Sequence, residues 1–313
     1  MKVAIIYGGW SDEKEYTAHN EVKKAVDEMG YPNILVSVND SEWISRIKSF
    51  GTDVAFITNQ GNYGEDGLIQ GTLDLYGIRY IGSGVLPSAL IMNKFVYKRV
   101  LNAIKVKNPN YICCRYEENM PDYESISSKL GKCFIVKPVS NGASVGIELI
   151  ESKSDFYKAI NVRELYKDIL FEEFISEKKM ELGVGVLEKN GIPKVLPICM
   201  ITYDSKFFSN EVKFSGKGVI EKYVDIDTPI LKEAAEIARR IHIEMGCSGL
   251  SRTDMILTEN NELYVLETNT LPGLLNNSLF PNQCKYAGIS YREMVDILLQ
   301  GAYRRKPFFV EKK

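Results

Sequence analysis

The feature that most constrains this chain is the regular alternation of short apolar runs with amphipathic segments over its first ninety residues. The runs "KVAIIY", "NILVSV", "DVAFIT" and "RYIG" have the length and composition of strands. Between them, "EVKKAVDEMG" ends at Gly30, "SEWISRIKSFG" at Gly51 and "DGLIQGTLDLYG" at Gly77, each with one apolar face. Continuous apolar strands separated by helices predict an α/β unit with a parallel sheet covered on both faces. A chain of 313 residues has room for on the order of two or three domains and a sizeable core.

From residue 94 the pattern changes. Helix "NKFVYKRVLNAI" leads through "VKNPNY" to strand "CFIVKP", a small-residue loop, strand "GIELI", helix "SKSDFYKAI" and strand "DILFEEFI". Beyond residue 180 the strands lengthen ("ELGVGVLEKN", "KVLPICMITY"). Helix "PILKEAAEIARRIHIEMG", hairpin "SRTDMILTENNELYVLETN" and closing helix "SYREMVDILLQGAY" complete the chain. The expected organisation is an N-terminal domain over 1–93, a central subdomain over 94–180 and a C-terminal subdomain over 181–313.

Composition excludes several classes. A net charge of −2, with no lysine or arginine block, argues against a nucleic-acid partner. The six cysteines (Cys113, Cys114, Cys133, Cys199, Cys247 and Cys284) make no C-x-x-C pair or disulfide framework, so a reduced cytoplasmic protein is expected. "MKVAIIYGG" reads as a buried strand rather than a signal peptide, and no apolar run would span a bilayer, so no membrane association is expected. The two histidines, His19 and His242, sit alone in helical segments and are read as surface or helix-packing residues. Histidine-centred acid–base or zinc chemistry is therefore not expected.

Chemistry concentrates in three places. In "VKPVSNGASVG", a lysine and a proline precede two glycines, and such a loop can bring backbone N–H groups close to phosphate oxygens. It is not a P-loop, because no GK[ST] follows the glycines. In the hairpin, Glu267 and Asn269 stand two apart on one strand face, with Asp254 on the partner strand. Such oxygen donors suit Mg²⁺ better than zinc, although an exposed polar hairpin face would look the same. Lys94 and Lys137 are each unremarkable surface charges alone. Combined with a carboxylate metal site they supply what a triphosphate needs, cations and backbone donors. "FEEFI" either lies against an adenine or is merely a half-exposed strand.

The ordered set "YGGWSDEKE", "GNYGEDGLIQG", "YIGSG", "MNK", "VKPVSNGASVG", "FEEFI", "SRTD" and "LETNTLPG…NSLFP" spans residues 7 to 281. It closely resembles the D-alanine–D-alanine ligase branch of the ATP-grasp superfamily. The resemblance implies a Rossmann-like N-terminal parallel-sheet domain followed by a two-subdomain ATP-grasp α+β fold. It implies an enzyme that phosphorylates the carboxylate of a first amino acid with ATP; the amine of a second then attacks the acyl phosphate. By motif position, Asp254, Glu267 and Asn269 would hold two Mg²⁺ ions, with Mn²⁺ as a substitute. Lys94, Lys137, Gly142, Ser144 and Lys206 would contact the nucleotide. Glu172, Glu173, Phe174 and Ile175 would line the adenine pocket, and Glu181 would reach the ribose. Arg252 and the N–H of Gly273 would face the developing oxyanion. Glu13 would anchor the ammonium of the first amino acid, and Ser278 with Leu279 the carboxylate of the second. A homodimer is also implied.

Three positions depart from the family pattern, all on the substrate side. Gln60 replaces the histidine that usually precedes the G-E-D-G segment, Ala143 the first serine of the phosphate loop, and Phe207 the tyrosine after the mobile-loop lysine. In the standard enzymes that serine and tyrosine hydrogen-bond with the glutamate matching Glu13. Their loss removes bonds worth about 0.5–1.5 kcal/mol each. The leading expectation is a ligase joining D-alanine to D-alanine in peptidoglycan precursor synthesis. The alternatives are a specialised ligase with another amino-acid or hydroxy-acid pair, and a non-catalytic ATP-binding regulator.

Overall fold

The computed structural model describes residues 1–9, 17–142, 145–204 and 218–305. Strands β1 (Val3–Tyr7), β2 (Asn33–Ser37), β3 (Val54–Ile57) and β4 (Arg79–Tyr80) form one all-parallel sheet in the order β2-β1-β3-β4. Val54 to Ile57 are all fully buried, as expected of a central strand covered on both faces. Helices α1 (Ala18–Glu28), α2 (Trp43–Phe50) and α3 (Leu68–Leu75) connect these strands. Gly51 closes α2 at φ +69°, a left-handed conformation that a side chain would resist. The segment "VLPSALIM" forms a further helix, α4 (Val85–Met92). It was not anticipated, because it is apolar on every side and shows no helical stripe.

After α5 (Lys94–Ala103) comes a four-stranded antiparallel sheet in the order β5-β8-β6-β7. Its strands are β5 (Tyr111–Cys114), β6 (Phe134–Pro138), β7 (Glu148–Ile150) and β8 (Ile169–Glu173), with α6 (Tyr123–Leu130) and α7 (Tyr157–Tyr166) packed on it. The third sheet is also antiparallel. It comprises β9 (Lys178–Lys189), β10 (Ile192–Val195), β11 (Ile198–Tyr203), β12 (Val219–Val224), β13 (Leu250–Thr258) and β14 (Leu263–Asn269). The run "KVLPICMITY" is two strands rather than one: it breaks at Leu196–Pro197, where proline has no N–H to give a ladder. Helix α8 (Pro229–Glu244) starts with Thr228 capping the Leu231 N–H at 3.4 Å, and α9 (Leu279–Tyr286) and α10 (Tyr291–Arg304) end the fold.

The cores do not divide where the sequence motifs do. Met294, Val295, Leu298 and Leu299 of α10 share one buried cluster with Ile5, Ile6, Phe56 and Ile57 of the parallel sheet. Each such side chain contributes roughly 1.5–3 kcal/mol when removed from water. Tyr97 and Leu101 of α5 pack with Leu182, Val184, Ala234 and Ile241 of the third sheet and α8. The two ends of the chain are thus held together, and α5 is anchored to the sheet that carries the acidic hairpin. Both histidines are packing groups: His19 stacks on Tyr7 at 4.4 Å between ring centres, and buried His242 bonds Ser251 through Nδ1 at 2.7 Å.

Candidate active site

The hairpin β13–β14 sets the centre of the site. Its register places Asp254 opposite Glu267 and Arg252 opposite Asn269, so four polar side chains share one face. A bulge follows Asp254, and the skipped residue Leu266 joins Glu267 in lining the cleft. Arg252 grips Asp254 through two bonds, Nε to Oδ1 and Nη2 to Oδ2, both 2.7 Å. Burial opposes the charge on Arg252, but Asp254, with Glu267 and Glu65, outweighs it and raises the guanidinium's pKa. On the neighbouring strand β9, Gly183 lies opposite Asp254 and Gly185 opposite Arg252. A methyl at Gly185 would come within 2.7 Å of Gln283 Oε1.

This face looks into an open cleft of about 1030 Å³ between the two antiparallel sheets. Ten residues singled out from the sequence line it: Lys137, Glu172, Glu173, Phe174, Ile175, Glu181, Arg252, Asp254, Glu267 and Leu279. A smaller adjoining cavity is lined by Lys94, Gly142, Glu267 and Asn269, so Glu267 borders both. Lys94 is buried and donates to the Asn141 carbonyl at 2.5 Å; burial lowers its pKa despite Glu267 nearby. At the far end, Tyr203 donates its hydroxyl to Glu181, whose carboxyl is raised by burial. Lys178 lies over the Tyr203 ring at 3.4 Å.

A third group gathers around Gly273. A methyl added to Gly273 would lie 3.0 Å from Ser278 Oγ and 3.1 Å from Gln60 Nε2, so these three residues converge. Ser278 occupies the N-cap position of α9, yet its side chain caps no backbone N–H. Gly273→Ala should therefore crowd this corner while leaving the fold intact. We expect kcat/KM for the amino-acid substrate to fall by roughly ten- to a hundredfold with an unchanged melting temperature, as misplacement in a tight site commonly does. Glu13, Ala143, Ser144, Lys206 and Phe207 lie outside the described residues.

Two groups that the sequence reading passed over are buried beside the site. Lys98, one helical turn after Lys94, has no exposure at all and pairs with Glu172 Oε2 at 2.6 Å. Glu65, within the quoted "GNYGEDG", accepts from the N–H of Gly61 at 2.7 Å and of Leu271 at 3.4 Å. It lines the smaller cavity with Lys94. The signal available for Lys98 was its i+4 spacing from Lys94 on a face shared with apolar residues.

Burial pushes the Glu65 carboxyl up to about 7, against its two backbone bonds. A carboxyl raised in the folded state stabilises most below its unfolded value of 4.5 and loses that contribution as pH rises through about 7. Relative to Glu65→Gln, the wild-type chain should lose about 3 kcal/mol of unfolding free energy between pH 4.5 and 8. Parallel stability–pH curves for the two proteins in denaturant titrations would refute this.

A parallel-sheet unit followed by two antiparallel sheets enclosing a lysine- and carboxylate-lined cleft defines an ATP-grasp architecture, as the ordered motifs led us to expect. The family described as D-ala D-ala ligase C-terminus matches residues 100–300. The D-alanine–D-alanine ligase of Carboxydothermus hydrogenoformans is 37% identical over 309 residues, covering 96% of this chain and 97% of that protein. That of Geobacter sulfurreducens is 35% identical, covering 96% and 94%. The crystal structure of D-alanine–D-alanine ligase from Bacillus anthracis complexed with ATP superposes with a TM-score of 0.83 at 28% identity, covering 97% of this chain and 98% of that one. The chain belongs to the D-alanine–D-alanine ligase family.

Proposed function

We propose that this chain joins two D-alanine molecules with ATP, forming an acyl phosphate and releasing ADP and phosphate, in peptidoglycan precursor synthesis. The observation that carries this reading is the convergence on one cleft of the Asp254–Glu267 pair, the buried Arg252 and the lysines at 94 and 137. Both chemical steps bring anions together, so a site for them must hold fixed positive charge out of water.

The donor set is suited to Mg²⁺. Among the described residues no three His, Cys, Asp or Glu side chains form a metal cluster. Two carboxylates and the amide of Asn269 are what an ion completed by phosphate oxygens and water requires. Asp254, Glu267 and Asn269 would hold the ions, which would neutralise the phosphates and polarise the transferred phosphoryl group.

The chain's own groups do the rest. Lys94 and Lys137, with the backbone N–H of Gly142, bind the triphosphate, and the strand Glu172–Ile175 lies along the base, with Glu181 at the ribose. Arg252 and the Gly273 N–H stabilise the oxyanion formed when the second amine attacks. Ser278 and Leu279 hold the second carboxylate, with Gln60 beside them. Glu13, Ser144 and Lys206 take the roles their motif positions imply. Ala143 and Phe207 stand at motif positions assigned to the substrate side.

Phosphate release from ATP should be measured against an array of D- and L-amino acids and hydroxy acids, with products weighed by mass spectrometry. Turnover with D-alanine alone is the expected result. Turnover only with another pair would replace it with the specialised ligase reading, and ATP binding without any turnover would sink both.

No helix among the described residues is long and apolar enough to cross a membrane, and the cysteines are free thiols, in keeping with a cytoplasmic site of action. Leu68, Leu75 and Leu86 on α3 and α4 are 58%, 75% and 73% exposed, an apolar face suited to a second copy of the chain. Leu86→Glu should then shift a dimer to monomer in light scattering; a wild-type monomer would refute the assignment.

A further inference from the structure

The family motifs assign Lys137 to the nucleotide but leave unexplained why a second lysine is buried behind it. Lys98 on α5 and Lys137 on β6 share one carboxylate, Glu172 on β8. Lys137 Nζ lies 2.8 Å from Oε1 and Lys98 Nζ 2.6 Å from Oε2, with side-chain exposures of 6% for Lys137, 0% for Lys98 and 5% for Glu172. Isolated charges so deeply buried would be costly, and a triad of this kind persists only when geometry and hydrogen bonds compensate.

The two lysines are not equivalent. Lys98 lies behind the wall: it faces Glu172, the Asn108 side-chain oxygen at 3.3 Å and the Pro109 carbonyl at 3.3 Å. Asn108 and the Pro109 carbonyl accept from its ammonium, Glu172 Oε2 neutralises it at ion-pair distance, and Lys98 does not line the cleft. Lys137 lines the cleft and has Glu172 as its partner, which leaves two of its N–H groups directed elsewhere. Burial opposes ionisation of Glu172, yet the two lysines overcome it and hold its carboxyl below the ordinary range.

The geometry points to Lys98 as a positioning residue for nucleotide binding: by occupying one oxygen of Glu172 it limits that carboxylate's hold on Lys137 to a single bond and keeps the remaining Lys137 donors for the triphosphate. This rests on the reading of the cleft as an ATP site. Lys98 itself never touches the nucleotide. Without it, Glu172 has one cation left to neutralise it, and Lys137 is drawn onto both oxygens and away from the phosphates.

The test uses the full-length chain and measures ATP binding directly by equilibrium dialysis with Mg²⁺, alongside steady-state kinetics. In Lys98→Met the Kd and KM for ATP should rise about tenfold or more, while KM for D-alanine stays within about twofold. Because Glu172 itself lines the nucleotide cleft, Glu172→Gln alone is the reference, and the double variant Lys98→Met/Glu172→Gln, in which the stranded carboxylate is gone, should bind ATP within about twofold of that reference. A purely structural role for Lys98 would move both KM values together and would not be rescued by the second change. If Lys98→Met does not fold, Lys98→Gln carries the same expectations, because an amide can still bond Asn108 and the Pro109 carbonyl. Unchanged ATP affinity in Lys98→Met, or the same loss from Lys98→Met on the Glu172→Gln background as in the wild-type chain, overturns the proposal. Because binding is read separately from dipeptide formation, a wild-type chain that binds ATP without making dipeptide would refute the ligase reading and leave this one open to the same measurement.

Discussion

Replacing Glu267 with glutamine should lower ligase turnover by at least about a thousandfold while leaving the fold intact, because it removes one of the two carboxylates proposed to hold the Mg²⁺ that neutralises the phosphates. Glu267 borders both the large cleft and the smaller cavity, opposite Asp254 in the hairpin register. Glutamine has the same shape and still satisfies a strand position, so the substitution removes charge rather than packing. The β13–β14 ladder pairs through its backbone, and neither the register nor the buried neighbours Val265 and Thr268 depend on a charge at 267. The melting temperature should therefore hold while phosphate release collapses. Rescue by high Mg²⁺ should be partial at best, since the missing ligand charge cannot be supplied from solution. Activity within tenfold of wild type would show that the carboxylate pair is not the metal site.

The second large effect is expected at Arg252, where one side chain serves both stability and chemistry. It is 7% exposed and holds Asp254 through a two-pronged bond. Arg252→Met leaves the Asp254 carboxylate, 18% exposed at the cleft, without its cation, and breaking one side of a fully buried pair, typically about 3–5 kcal/mol, sets the upper bound on the cost. It also removes the cation proposed to face the oxyanion, and loss of such a group commonly lowers kcat by about 10²- to 10³-fold. The double variant Arg252→Met/Asp254→Asn isolates the stability loss only, since it also removes a proposed Mg²⁺ ligand. Stability, read by urea titration, should largely return, whereas turnover should not. Arg252→Lys keeps a charge but not the planar fork, so it should fall between wild type and Arg252→Met in both measurements. Recovery of turnover in the double variant would exclude a direct role for the guanidinium.

How much of this was open to sequence reading depends on the range of the signal. The four parallel strands were readable because each is a short apolar run bounded by turn residues. The acidic hairpin was readable because period-two alternation fixes which side chains share a face, and Glu267 and Asn269 do lie two apart on β14. Helix α4 was missed because residues apolar on all sides carry no period. Strand β5, helix α6, strand β12 and helix α9 were not read from the sequence, because their formation depends on neighbours distant along the chain. The packing of α10 against Ile5 and Phe56 could not be read locally, since nothing near residue 295 indicates a partner near residue 5.

The loop "VKPVSNGASVG" illustrates the same limit within the site. Its lysine and glycines marked it as a phosphate-binding element, but Lys137 alone looks like any strand-end charge. Only the fold brings it against Glu172, and Glu172 against Lys98, through three elements separated by up to 74 positions along the chain.

By itself, the order of motifs along this chain determined the family and the fold class and marked the carboxylates and lysines proposed for the site, because spacing along a strand or loop is local geometry. Tertiary structure alone decided which charges are buried and what they face: Lys98 behind Glu172, Glu65 between Gly61 and Leu271, and Arg252 locked to Asp254. The physical reason is that a charge's energy depends on the dielectric and partners around it, and these are set only when distant segments pack together.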